Sequence, residues 1–125
     1  MLLDTAVLIG EQPISGDVEA AISAVSIAEL HFGLLVARDD QSRAARAMRL
    51  GLIEARFPDP LPVDDRVARE WGRLQAAVAA RGGRPRKRLA DLAIAASANV
   101  HQAVLLTSNI KAFSIISDLV NVRTP

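Results

Sequence analysis

Short apolar segments alternate along the chain with stretches of helical periodicity, the pattern of a parallel sheet covered by helices. Met1 to Asp4 is too short and too apolar for an amphipathic helix and predicts a buried first strand that ends at the carboxylate. Ala21 to Val25 predicts a second strand. Ser26-Ile27-Ala28-Glu29 then has capping-box spacing, with Ile27, Leu30, Leu34 and Leu35 following at helical intervals to about Ala37. Gln41 to Phe57 predicts another helix, with Ala44, Met48 and Leu52 inward and Arg43, Arg46, Arg49 and Arg56 on the opposite, wet arc. Pro58-Asp59-Pro60 ends it.

Leu61 to Val63 predicts a brief strand. Val67, Trp71, Leu74 and Val78 space out a helix from about Asp65 to Arg81, with Trp71 on its apolar stripe as a core or dimer contact. Gly82-Gly83 stops that helix, and Arg84 to Arg88 follows as a basic loop. Leu89 to Val100 is apolar nearly all round, so its helix belongs in the interior. Ala103 to Thr107 predicts a strand, Ile110 and Phe113 a short helical turn, and Leu119 to Val122 a last edge strand. The simplest fit is one doubly wound α/β domain over residues 1–125.

Composition narrows the chemistry. A chain of 125 residues, half of them apolar, makes one domain and buries roughly two-thirds of its unfolded surface. Mean hydropathy is +0.22, too high for disorder, yet no apolar run reaches the ~20 residues of a membrane span. No cysteine is present, which removes disulfides, thiolate chemistry and Cys-type zinc sites. His31 and His101 supply zinc poorly. The opening Met1-Leu2-Leu3-Asp4 lacks a basic region before its apolar residues, which argues against a signal peptide and for a cytoplasmic protein without membrane contact. The net charge is only +1, but Arg81, Arg84, Arg86, Lys87 and Arg88 cluster in a short stretch. Such a run is either a solvated loop or a phosphate contact.

Ligands of open α/β sheets gather beyond the carboxyl ends of the strands. Asp4, Glu29, Asp91, Thr107 and Asn109 all fall there in the predicted layout. Each acid has a plain structural reading: Asp4 as a strand-ending turn residue, Glu29 as the capping-box partner of Ser26, Asp91 as an acid favoured by a helix N-terminus. Asp91 weighs most toward function, since it is the only charge between Leu89 and Val100 and a buried carboxylate needs a cation, a cap or water. Together the three acids suit Mg²⁺ or Mn²⁺, which take carboxylates plus water and substrate phosphate. An ion so held beside a basic loop points to phosphodiester hydrolysis, with Arg84, Arg86, Lys87 and Arg88 neutralising backbone phosphates.

These residues also carry a family likeness. Leu2-Leu3-Asp4-Thr5, Ser26-Ile27-Ala28-Glu29-Leu30, Arg88-Leu89-Ala90-Asp91-Leu92-Ala93-Ile94-Ala95 and Leu106-Thr107-Ser108-Asn109 with Phe113 resemble, in order, the four motifs of PIN-domain ribonucleases of the VapC toxin type, from bacterial toxin–antitoxin pairs. The resemblance covers nearly the whole chain. It implies a three-layer α/β/α sandwich with a mainly parallel sheet, a homodimer, and Mg²⁺-dependent endonuclease action on RNA with inhibition by a VapB-type antitoxin. It assigns metal ligation to Asp4 and Asp91, with Glu29 as a further ligand or water positioner and Thr107 and Asn109 holding phosphate or water. Two positions depart from it. Lys111-Ala112 precedes Phe113 where the family carries an acid, and Ala6 stands where Ser or Asn is common. The alternative reading is therefore a catalytically weakened PIN-like module that binds RNA or an antitoxin. A phosphoacceptor receiver domain fits less well, because its acceptor would have to be Asp59, Asp64 or Asp65, in a proline-rich stretch.

Overall fold

A computed structural model of the protein describes residues 1–10 and 19–125. Four two-residue strands make one sheet: β1 (Leu2–Leu3), β2 (Ala21–Ile22), β3 (Leu105–Leu106) and β4 (Val122–Arg123), in spatial order β2-β1-β3-β4. All neighbours are parallel, with Leu2 opposite Ala21 and Leu105, and Leu3 opposite Ile22 and Leu106. Successive strand side chains point to opposite faces, so each short strand feeds two cores. Leu2 and Leu105 enter one cluster, with Val67, Leu74, Leu92, Ile94 and Phe113. Leu3, Ile22 and Leu106 enter the other, with Val7 and Ile53. The result is the expected three-layer sandwich in a single domain.

The helices are α1 (Thr5–Leu8), α2 (Ala24–Leu35), α3 (Asp40–Arg56), α4 (Asp65–Ala80) and α5 (Leu89–Val100). Among the described residues, no helix is long and apolar enough to cross a membrane. As the composition of α5 requires, Leu92 to Ala98 are all buried. Its alanines let α4 and the sheet approach closely, and Trp71 on α4 packs against this cluster. Gly82 turns the chain with φ +83°, a backbone conformation that side chains resist. Gly83 then lies so close to the core that a Cβ would come within 2.7 Å of Val78 Cγ1 and 2.8 Å of Ile115 Cδ1. The pair brings the basic segment back against α5, where Pro85–Arg88 forms a 3₁₀ turn rather than an open loop.

Four expectations are corrected. The second strand stops at Ile22, and Ser23 caps α2 by accepting from the Val25 amide at 3.0 Å. Ser26 is therefore inside the helix, and the capping box with Glu29 does not form. On α3 the inward residues are Leu50 and Ile53, whereas Met48 and Leu52 are 71% and 68% exposed. Both apolar stripes have helical spacing, and the polar residues between them do not say which one faces the sheet. The strand expected at Leu61 to Val63 is one parallel bridge, Ser23 to Leu61. The last strand is Val122–Arg123 rather than Leu119 to Val122. Ile110–Ile116 is a 3₁₀ helix, as the turn around Phe113 suggested.

Candidate functional site

Two backbone facts bring distant residues together. Asp4 and Thr107 each follow the last residue of a strand, and Leu3 and Leu106 are in register. The two side chains therefore emerge side by side at the carboxyl edge of the sheet. The crossover helices run antiparallel to the strands, so the first turns of α2 and α5 also lie at this edge. Glu29 sits in the second turn of α2 and Asp91 in the first turn of α5.

Asp4 is 4% exposed and fixed from both sides. Its Oδ1 accepts from the Thr5 amide at 2.9 Å, capping α1, and its Oδ2 accepts from Thr107 Oγ1 at 2.7 Å. Thr107, fully buried, also accepts from the Asn109 amide at 3.0 Å, so its hydroxyl orients Asp4 and the following turn. Asn109 itself is exposed. On the opposite side Thr5 Oγ1 donates to Glu29 Oε1 at 2.6 Å and shares a hydrogen bond with Ser26 Oγ at 2.9 Å. A hydroxyl has one proton to give. With that proton on Glu29, buried Ser26 supplies the second bond, and this is what its place inside α2 is for. Thr5 and Ser26 were visible in the motifs, but their role was not, because the capping reading had already explained Ser26.

Two of the three acids are shifted upward. Burial raises Glu29 above the ordinary carboxylate value; the Thr5 hydrogen bond opposes this, and the charges of Asp91 and Asp4 raise it further. Burial also raises Asp91, with Asp4 adding to the shift and Arg88 opposing it. Arg88 Nη1 stands 3.8 Å from Asp91 Oδ2, too long for a hydrogen bond. Half-buried acids raised by burial and by a neighbouring carboxylate, with no close cation, are short of positive charge. The donor set is hard oxygen, which suits Mg²⁺ or Mn²⁺. Among the described residues no three ligating side chains stand close enough to enclose an ion unaided. An ion held here would share its coordination with water and substrate.

Around this centre the basic residues are distributed more widely than the loop alone suggested. Arg81 is taken by Asp118, at 2.6 and 3.0 Å. Arg84, Lys87 and Arg88 line a cavity with Lys111, and Arg86 does not. Ala112, in the position of the family's further acid, is buried in the wall of the same cavity. Arg43 and Arg46 are exposed, as expected of the wet arc, and donate to the carbonyls of Ala37 and Gly33. Arg46 and Arg49 line a cavity with Thr5 and Glu29. Neither α3 arginine was singled out from the sequence, where the arc of four arginines looked like solvated surface. His31 is on the surface beside Glu54, and His101 is exposed, so neither joins the site.

The PIN-domain family model matches residues 1–118. Ribonuclease VapC8 of Mycobacterium tuberculosis (strain CDC 1551 / Oshkosh) is 40% identical, over 79% of this chain and 90% of the relative. Among solved structures, VapBC-5 from Mycobacterium tuberculosis, a member of the VapBC family of toxin–antitoxin systems, superposes with a TM-score of 0.81 at 32% identity, covering 98% of this chain and 94% of that one. FitAcB from Neisseria gonorrhoeae superposes at 0.76 with 26% identity, covering 97% and 94%. With four motifs in register on one sheet edge and the family model spanning nearly all of its length, the chain belongs to the PIN-domain family, among relatives of the VapC type.

Proposed function

We propose that the protein is a metal-dependent endoribonuclease of the VapC type, hydrolysing RNA phosphodiester bonds in the cytoplasm. The observation that carries this reading is the meeting of Asp4, Glu29 and Asp91 at one edge of the sheet, where burial raises Glu29 and Asp91 and the charge of Asp4 adds to both shifts. Asp4 and Asp91 would hold Mg²⁺ or Mn²⁺, with Glu29 as a third ligand or as the group that orients water. A bound ion supplies Lewis acidity for the phosphoryl oxygens. The chain's own residues do the rest. Thr107 and the Thr5 amide fix the Asp4 carboxylate before any ligand arrives, removing reorganisation from the reaction. Thr5 holds one Glu29 oxygen and leaves the other free to accept from a water. Arg88 stands where it can neutralise a phosphate oxygen next to Asp91.

The homology to VapC8 supports the ribonuclease reading, and the likeness to VapBC-5 supports a VapB-type antitoxin as partner. The exposed side chains of Phe32, Leu35, Met48 and Leu52 favour burial by another protein, a second copy of the chain among them. Leu52→Glu is expected to keep the fold and weaken self-association about tenfold or more, the scale of one apolar contact. Sedimentation equilibrium reads this, and a parent monomeric at every concentration removes the homodimer from the proposal.

The central test is Mn²⁺-dependent RNA cleavage by Asp4→Asn and Asp91→Asn. Rates should fall by about 10²-fold or more, the scale of losing a group that acts on developing charge, with circular dichroism unchanged. Variants that cut at the parent rate would end the nuclease reading. Expression in a host adds a second readout. Growth arrest by the parent but not by Asp91→Asn agrees with hydrolysis, and arrest by both replaces hydrolysis with binding.

A further inference from the structure

Two cavities with cationic rims adjoin the acid cluster, one through Glu29 and the other through Arg88, which stands 3.8 Å from Asp91. One, of about 290 Å³, has Arg46 and Arg49 beside Thr5 and Glu29. The other, of about 300 Å³, has Arg84, Lys87, Arg88 and Lys111 around an apolar floor that includes Val78, Leu92 and Ile115, with no acid in its lining. The first opens on the face covered by α2 and α3, the second on the face covered by α4 and α5. Four other surface arginines are matched: Arg43 with Asp40, Arg69 with Asp65, Arg73 with Glu70 and Arg81 with Asp118. Among the described residues, Arg49, Arg84, Lys87 and Lys111 form no ion pair. Unmatched cations in two cavities that adjoin the acid cluster, one sharing Glu29 with it and the other reaching Asp91 through Arg88, favour a polyanion that passes over it.

We infer that a single RNA strand crosses the acid cluster from one cavity to the other, with one backbone phosphate held by Arg49 and Arg46 and another by Lys111, Lys87 and Arg84. The inference rests on the nuclease reading and deepens it, because it gives the substrate two anchoring points and the centre the phosphate between them. Each cavity is at the small end of ligand sites, the size for one nucleotide rather than a duplex. The apolar floor of the second accepts an unpaired base or ribose, the usual way proteins take unstacked RNA. Gly83 keeps that floor at its depth, since a side chain there would collide with both Val78 and Ile115. Lys111 thereby gains a role in place of the acid expected nearby: it adds to the grip on substrate instead of adding metal-binding charge.

The test is fluorescence anisotropy of a labelled twelve-nucleotide oligouridylate, titrated across salt concentrations with chelator present so that no strand is cut. Arg49→Gln and Lys111→Gln should each flatten the log–log salt slope by about 0.7, the contribution of one single-strand phosphate, and the double variant by the sum. Arg69→Gln, on exposed α4 surface, should leave the slope unchanged. In cleavage, both single variants should raise KM with kcat held, the mark of binding lost equally in ground and transition states. A slope unchanged by either single variant overturns the track. So does an equal loss of affinity for poly-L-glutamate, which would make the cavities general anion surfaces or places for an acidic protein. Slopes that both variants leave at the parent value, alongside an inactive Asp91→Asn, remove the track alone, whereas a fully active Asp91→Asn removes the nuclease reading beneath it.

Discussion

The two ends of α5 carry acids in opposite circumstances. At its C-terminal end Asn99 donates to Glu70 Oε2 at 2.7 Å, and Arg73 meets the same carboxylate at 2.6 and 2.7 Å. Arg73, with Asn99 assisting, holds Glu70 below the ordinary glutamate range against the opposing effect of burial. Asp118, nearby, is likewise lowered by Arg81. At the N-terminal end Glu29 and Asp91 are raised, with one hydroxyl and one distant guanidinium as compensation. The same side-chain chemistry is thus satisfied within the fold at one end and left unsatisfied at the other. A lowered carboxylate contributes to stability, whereas a raised one draws on it, and unsatisfied charge of this kind marks functional sites more often than structural ones.

The contrast is broken most directly by making the same change at both ends. Glu29→Gln should slow RNA cleavage about 10- to 100-fold, the range for groups that orient ligands, without lowering Tm at pH 7. Glu70→Gln should cleave as the parent does but lose about 1 kcal/mol of stability, roughly 4 °C in Tm. If Glu70→Gln loses cleavage, or Glu29→Gln melts well below the parent, the two ends are not functionally distinct.

Acidity sharpens the comparison through its sign. The folded-state value of Asp91 is raised above its ordinary 3.8, so the stability tied to its proton is present below that value and lost as pH rises through the folded one. Asp91→Asn should therefore melt above the parent at pH 7, with the gap closing as pH falls toward 4. Glu70 behaves oppositely: its contribution is present above its ordinary 4.5 and lost as pH falls through the lower folded value. The Tm deficit of Glu70→Gln should accordingly shrink on acidification. Scanning calorimetry from about pH 3 to 7 follows both differences, and parallel trends would refute the assignment. Millimolar Mn²⁺ should raise Tm at pH 7 in the parent and less in Asp91→Asn, the smallest of these effects.

Much of this was legible in the sequence, for identifiable reasons. The parallel α/β order followed from alternating periods, and the burial of Leu89 to Val100 from a helix without a polar face. Asp91 stood out as a lone charge among interior residues. What stayed hidden depended on facing rather than type. The α3 stripe of Met48 and Leu52 has the same spacing as Leu50 and Ile53, so periodicity could not tell a core face from an exposed one. The Ser23 cap displaced the Ser26 box because both serines fit the start of a helix and only tertiary packing of Ser26 against Thr5 decides. Arg49 looked like solvated surface, since nothing local reveals that its helix leans over Glu29.

Because β1 is two residues long, Leu2 fills one core, Leu3 fills the other, and the next residue is the metal-site candidate Asp4. Core packing and chemistry are therefore locked to the same phase. Inserting a single residue between Leu3 and Asp4 would force a choice, in which either both leucines exchange faces or the carboxylate turns away from Thr107. Length variation among relatives should accordingly collect in the loops, and a directed-evolution library that shuffles lengths at residues 2–4 should yield almost no folded intermediates between parent and failure.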